Sequence, residues 1–281
     1  MRLTIIGCSG SFPGPESPAS SYLVEATGPG PDGSPRTWRV LLDLGSGALG
    51  ALQRYADPLS LDAVVISHLH PDHFMDLCGL YVARRYAPSL NRPAPALPVY
   101  GPAGTFDRVL QAYGPDAAGE LENVYDVREL ADGGTFRVGP FTITPRLVRH
   151  PVTAFALRVE ARSGDRTAVL AYSGDTDACA GLTEVARDAD VFLCEASFTE
   201  GRDDDAHGIH LTGRRAGQTA TEAGVGRLVL THLPVWTDPG VARGEAVETY
   251  AGPIEVAHSG LQLDVGVPVT APKKARKPVR A

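Results

Sequence analysis

Residues 67–73 read Ser-His-Leu-His-Pro-Asp-His, so that three imidazoles and a carboxylate follow directly on the apolar run Ala63-Val64-Val65-Ile66. The chain has 8 histidines in all, and such crowding sets these apart from incidental residues of a polar turn. Imidazole and carboxylate both suit zinc, and the same donors accept manganese or iron. On an extended segment His68 and His70 point the same way, and the turn that Pro71 allows can swing Asp72 and His73 toward a second position. One segment can therefore feed two divalent metal ions, zinc being the first expectation.

Further donors stand at the ends of expected strands. His150 follows the strand-like 141–148, Asp175 lies in Ser173-Gly174-Asp175-Thr176 just after 167–172, and His232 closes 227–231. A lone strand-end histidine is more often structural than a ligand. In a chain that already carries a metal-type cluster, these three are read as its partners.

The elements that must position these residues are strands first and helices after, in each half. Val, Leu, Ile and Tyr between Gly, Pro and Ser clusters predict strands over 2–6, 20–26, 37–43 and 63–66, with a hairpin loop at 28–36. Apolar spacing predicts helices over 74–86, ending before Pro88, and over 103–113. Strands return at 135–138, 141–148, 154–161 and 167–172. A helix at 179–187, a strand at 190–194, a helix at 212–224 and a strand at 227–231 complete the series. Two such halves suggest facing sheets with helices outside, a four-layer αββα arrangement of class α/β whose ligand loops gather along one sheet edge. No sequence repeat accompanies them.

The chain has 281 residues, 43% apolar and 21% charged, enough for a large core. We expect a catalytic domain over 1–266 and a flexible basic tail over 267–281, where Pro268, Pro272 and Pro278 alternate with Lys273, Lys274, Arg276, Lys277 and Arg280. The formal charge is −7. Without the tail cations the body is near about −12, which should repel long nucleic acid. Leu3-Thr4-Ile5-Ile6 is too short for a signal peptide, and no run is long enough to span a membrane. Cys8, Cys78, Cys179 and Cys194 form no C-x-x-C pair and are expected to be core thiols of a cytoplasmic protein.

The H-x-H-x-D-H run at 68–73, with His150, Asp175 and His232 in that order, resembles the metallo-β-lactamase superfamily over nearly the whole chain, to about residue 264. The resemblance implies the αββα sandwich. It implies His68, His70 and His150 as ligands of one ion, Asp72, His73 and His232 as ligands of the other, and Asp175 as the bridge. Ser173-Gly174-Asp175-Thr176, Cys194-Glu195-Ala196-Ser197-Phe198 and His210-Leu211-Thr212-Gly213 resemble the ribonuclease Z and small-molecule phosphodiesterase branch. In that branch the residue matching His210 sits near the scissile phosphate, paired with an acid matching Glu195, and would protonate the leaving oxygen. Asp72 is a second catalytic candidate, orienting the hydroxide expected between two metal ions.

Transfer-RNA-processing members carry a long arm between the third and fourth metal motifs, and the short interval from His150 to Asp175 leaves no place for it. The N-terminal Leu3-Thr4-Ile5-Ile6-Gly7-Cys8-Ser9-Gly10-Ser11, the segment Ser17-Pro18-Ala19-Ser20-Ser21-Tyr22 and Thr231-His232-Leu233-Pro234-Val235-Trp236-Thr237 look like actinobacterial atypical class II cyclic AMP phosphodiesterases. A small phosphodiester, 3′,5′-cyclic AMP or a relative, is the expected substrate. A ribonuclease acting on RNA ends, a lactonase or thioesterase of the same fold, and a metal-holding or RNA-binding scaffold are the alternatives. A homo-oligomer remains open.

Smaller expectations concern single residues. Asp43, before Gly45-Ser46-Gly47, either supports a metal-bound histidine or is a plain turn carboxylate. The Gly-rich turn at 7–14 could offer backbone N–H groups to a phosphate. His207 is a weaker acid candidate than His210. Trp236 is read as a packing residue, with base stacking as the alternative, and Arg84 and Arg85 as surface residues, since neighbours on a helix point about 100° apart.

Overall fold

The computed structural model describes residues 1–87, 95–163 and 166–267. Strands β1 (Arg2–Gly7), β2 (Ser21–Pro29), β3 (Pro35–Leu42), β4 (Ala63–Val65), β5 (Leu97–Gly101) and β6 (Tyr125–Glu129) belong to one sheet. Strands β7 (Phe136–Val138), β8 (Phe141–Leu147), β9 (Phe155–Ser163), β10 (Arg166–Tyr172), β11 (Val191–Glu195), β12 (Leu228–Thr231) and β13 (Ile254–Val256) form the other. The last strand, β14 (Gln262–Asp264), returns to the first sheet outside β1, giving the orders 14-1-2-3-4-5-6 and 13-12-11-10-9-8-7.

Each sheet is antiparallel on one side and parallel on the other. The pairs β1–β2 and β2–β3 are antiparallel, and β3–β4, β4–β5 and β5–β6 are parallel. The pairs β8–β9 and β9–β10 repeat the first pattern, and β10–β11, β11–β12 and β12–β13 the second. The two halves thus share a topology that no sequence repeat announces. Parallel pairs need crossovers, and helices supply them. In the first half these are α1 (Ala48–Leu52), α2 (Pro71–Phe74), α3 (Leu77–Tyr86), α4 (Thr105–Tyr113) and α5 (Ala118–Val124). In the second they are α6 (Ala180–Ala186), α7 (Gly213–Ala223) and α8 (Pro239–Val247).

Alternation along the strands sorts the core into layers. Leu3, Ile5, Tyr22, Val24, Val40 and Leu42 face Leu157, Val159, Leu170 and Leu193 between the sheets. Their neighbours Ile6, Leu23 and Leu41 pack under α1 and α3, and Phe192, Cys194, Leu228 and Leu230 pack under α6 to α8. Three apolar layers between four structural ones make the αββα sandwich.

Several local expectations change. The helix expected over 74–86 starts only at Leu77, after the separate short α2, and between them the Asp76 carboxylate accepts the Leu49 N–H at 2.8 Å, tethering α1. The 28–36 hairpin loop is shorter than expected, since β2 and β3 stay paired to Pro29 and Pro35. Strands β5, β6, β13 and β14 and helices α1, α5 and α8 have no counterpart in the sequence reading. Each is short, and Pro98 and Pro239 lie inside β5 and at the start of α8, where proline ordinarily reads as a break. All four cysteines are free. No helix among the described residues is long and apolar enough to cross a membrane. Of the tail expected over 267–281, residues 268–281 lie outside the described residues.

Candidate metal centre and active site

The chemistry-bearing residues collect at the carboxyl ends of the parallel strands, where open α/β sheets hold ligands. Asp43 follows β3, His68 to His73 follow β4, Asp175 follows β10, Glu195 ends β11 and His232 follows β12. A backbone bond from Phe155 N to Ser67 O (3.0 Å) ties the motif loop of the first sheet to β9 of the second. His73 O accepts from Leu44 N at 2.8 Å, which locks the same loop onto the turn after β3.

Two donor groups form there. His68, His70, His150 and Asp175 converge on one point, and Asp72, His73, Asp175 and His232 on another, with donor atoms within 4.8 Å inside each group. Asp175 stands between them, 3.7 Å from His68 Nε2, 3.3 Å from His73 Nε2 and 3.5 Å from His232 Nε2. A third group, Glu195, His210 and His232, shares His232 with the second. The exposed His207 belongs to none of them.

Hydrogen bonds choose which ring nitrogen faces inward. His150 Nδ1 donates to Ile209 O at 2.8 Å. The Ser197 hydroxyl donates to His232 O at 2.7 Å, so its oxygen accepts His232 Nδ1–H at 2.8 Å. The Ser67 hydroxyl donates to Asp43 at 2.8 Å and accepts His68 Nδ1–H at 3.1 Å. In all three rings Nε2 is left to the centre. Asp43 is fully buried and also accepts from His73 Nδ1 (2.7 Å), Ser67 N (2.7 Å) and Tyr172 OH (2.6 Å). It is the support of a histidine, one of the two roles the sequence left open. Ser67, Tyr172 and Ser197 were missed as positioning residues, and a hydroxyl gives no sequence signal for such work.

The donor set fits divalent cations. His68 Nε2 lies 3.0 Å from His70 Nδ1, which is itself 3.3 Å from His150 Nε2. Burial, then the charge at His73, keeps His68 well below the usual imidazole pKa, and burial lowers His70 and His150 as well. Neutral nitrogens facing one another present converging lone pairs, the state a metal ligand requires. Asp175 Oδ1 is buried with no hydrogen-bond partner, a costly position for a carboxylate oxygen unless a cation meets it. Burial opposes the charge on Asp72 and Asp175, yet the surrounding histidines hold both carboxyls well below the usual range. Burial also opposes a proton on His73, and the carboxylates of Asp175 and Asp43 overcome it, raising that imidazole well above its usual value.

Beside these donors His210 Nδ1 donates to Glu195 Oε1 at 2.8 Å. Burial lowers the imidazole, but the Glu195 carboxylate outweighs it and lifts His210 to about 9. Glu195 is fully buried and satisfied by Thr176 N (2.8 Å), Ser197 N (3.2 Å) and Leu211 N (3.3 Å). The loop bearing His210 is pinned by Asp177, which accepts from Gly208 N (2.7 Å) and from Arg215 on α7 (2.6 Å).

Backbone strain concentrates in the same place. Among the described residues four non-glycines have left-handed φ, and three belong here: Ser11 (65°), Asp43 (58°) and His232 (57°). The Ser11 N–H points at His232 Nε2 from 3.4 Å, so the turn at 7–14 does present an amide to the centre. Arg84 and Arg85 stay away from it. Arg85 is exposed and pairs with Glu120, whereas Arg84, expected at the surface, lies on the buried face of α3 and donates to Pro95 O at 2.7 Å. Trp236 departs from its expected packing role, being 60% exposed.

A profile of the beta-lactamase superfamily domain matches residues 38–233, which contain every donor named above. The chain belongs to the metallo-β-lactamase superfamily. Within the superfamily it is 45% identical over 271 residues to an uncharacterized protein of Mycobacterium leprae, covering 95% of this chain and 90% of that one. It is 32% identical to the probable metallo-hydrolase YhfI of Bacillus subtilis, over 92% of this chain and 98% of the relative. The crystal structure of YhfI superposes with a TM-score of 0.76 at 29% identity, over 94% of this chain and 99% of that one. A ribonuclease Z of Myxococcus xanthus is 27% identical over 94% of this chain and 98% of its own length. The protein is a metallo-hydrolase of the metallo-β-lactamase fold.

Proposed function

We propose that the protein is a dinuclear metal-dependent phosphodiesterase acting on a small substrate, with 3′,5′-cyclic AMP or a related cyclic nucleotide as the leading candidate and the 5′-nucleotide as product. On this reading His68, His70 and His150 hold one ion and Asp72, His73 and His232 the other, with Asp175 between them and zinc first among the candidate metals. Bound there, the two ions supply positive charge that acidifies water and offsets the charge of the attacked phosphoryl group.

The observation that carries the reading is the partly buried His210 paired with the buried Glu195 beside both donor groups. An alkoxide leaving a phosphodiester needs a proton, and an imidazole whose Nδ1–H is held by a buried carboxylate keeps one to give from Nε2. Glu195 offsets the charge on that ring and fixes its plane. Asp72 accepts a hydrogen bond from the attacking water and aligns it. The Ser11 N–H, which faces His232 Nε2 from 3.4 Å, would be free to donate to a phosphoryl oxygen once that nitrogen holds metal.

Two observations favour a small substrate. The interval from His150 to Asp175 is occupied by the β9–β10 hairpin, and the chain is acidic. The likeness to ribonuclease Z favours a second reading, cleavage at RNA ends. Metal-loaded protein incubated with 3′,5′-cyclic AMP should give 5′-AMP on nucleotide chromatography, and an Asp72→Ala variant should give none. Absence of product from protein that holds two metal ions would reject cyclic AMP, and linear oligoribonucleotides would then be the substrates to assay.

A further inference from the structure

Two large aromatic side chains stand in water at the edge of the metal centre. Phe12 is 41% and Trp236 60% exposed, their ring centroids are 5.5 Å apart at 46°, and Val235 beside them is 50% exposed. Phe12 follows Ser11, whose amide reaches His232, and Trp236 stands four residues beyond His232 in the next loop.

These loops are not loose. Gly10 N donates to Leu233 O at 3.1 Å, Ser9 bridges Leu233, Phe12 N donates to Gly10 O at 2.8 Å, and Thr237 N donates to Pro234 O at 2.8 Å. A Cβ on Gly10 would stand 2.4 Å from His232 O, so the two loops approach as closely as backbone allows. Apolar rings are thus held out in water by hydrogen-bonded loops that contain two left-handed non-glycine residues, Ser11 and His232. Phe12 directly follows Ser11, and Trp236 lies four residues after His232, so both rings stand on the two loops that meet at the donor groups where the phosphodiester reading puts the phosphoryl group. A nucleobase offers a flat face at about the length of a ribose from its phosphate, and stacking on an aromatic ring is open to every base.

We propose that Phe12 and Trp236 form a stacking platform for the nucleobase of the substrate, which makes that substrate a nucleotide rather than an alkyl phosphodiester. The inference rests on the phosphodiesterase reading and deepens it. Both residues are specificity determinants, apart from the residues that bind metal or move protons.

The test compares wild type, Phe12→Ala, Trp236→Ala and Trp236→Phe as metal-loaded proteins on cyclic AMP and on 1-deoxyribose 3,5-cyclic phosphate, which lacks the base. Loss of a stacking partner should lower kcat/KM for cyclic AMP about 5- to 150-fold in Trp236→Ala, leave the baseless substrate unchanged, and be largely restored in Trp236→Phe. Equal losses on both substrates, or no loss on either, would overturn the platform. So would a change of oligomeric state in Trp236→Ala with base preference intact, since the rings would then cover a second copy. If wild type cleaves neither compound, the cyclic-nucleotide reading fails and the platform is judged by calorimetry. AMP binding at least about 5-fold tighter than ribose 5-phosphate, lost in Trp236→Ala, supports it, and equal affinities overturn it.

Discussion

His210 and Asp43 each stand in a carboxylate–imidazole contact, His210 with Glu195 and Asp43 with His73, and on the proposed reading the first serves the substrate and the second a metal donor. Replacing His210 by Ala should lower kcat about 10²- to 10⁴-fold, the usual worth of a positioned acid, while metal content by atomic emission stays at the wild-type value. An unchanged rate would remove His210 from the reaction. Its folded pKa of about 9 lies above the ordinary imidazole value, so the proton is present below that value and lost as pH rises through it. The alkaline limb of a kcat/KM profile should therefore fall as His210 deprotonates, and bound cations nearby pull that limb below 9. Glu195→Gln removes the negative partner and should move the limb to still lower pH. A limb that stays in place would assign it to another group. The sequence could name His210 and Glu195 because both lie in short runs of familiar order. It could not name Ser197 or Tyr172, whose roles depend on which hydroxyl ends up against which ring.

At the scale of elements, one turn places half of the centre. Gly45 follows β3 at a point where an added Cβ would stand 1.8 Å from the carbonyl oxygen of Asp72. Gly45→Ala should push the start of α2 away from β3 and carry Asp72 and His73 with it. We expect a metal affinity at least about 10-fold weaker, as when a ligand's support is removed, with the far-UV circular dichroism retained. Calorimetric titration with zinc checks this, and wild-type affinity in Gly45→Ala would show that the turn can yield. Strand patterning revealed β1 to β4 and β7 to β12, the 3-residue β4 through its wholly apolar run Ala63-Val64-Val65. It failed for β5, β6, β13 and β14, which are 3 to 5 residues long and owe their conformation to a neighbour already in the sheet.

For the whole molecule, the centre is a clamp between halves. His68, His70, Asp72 and His73 come from the loop after β4, and His150, Asp175 and His232 from loops of the second sheet. Metal that binds only the folded chain stabilises it, by about 2.7 kcal/mol at one hundred times the dissociation constant. Chelation should lower Tm by about 5–10 °C for a chain of this size, and zinc should restore it. Calorimetric melting of wild type beside Asp175→Ala is the check, and an identical drop on chelation in both would place the stabilising ion elsewhere. Residue type and spacing alone determined the class of chemistry, because donor atoms are covalent facts and the H-x-H-x-D-H run is local enough to survive as a pattern. Strand alternation likewise determined the layers. Only the tertiary structure decided that Asp43 would meet His73, that Asp175 would stand between two donor groups, that Arg84 would be buried and that Trp236 would face water. Each of these depends on two sheets packing so that loops distant in sequence share one edge, and no periodicity along the chain encodes that meeting.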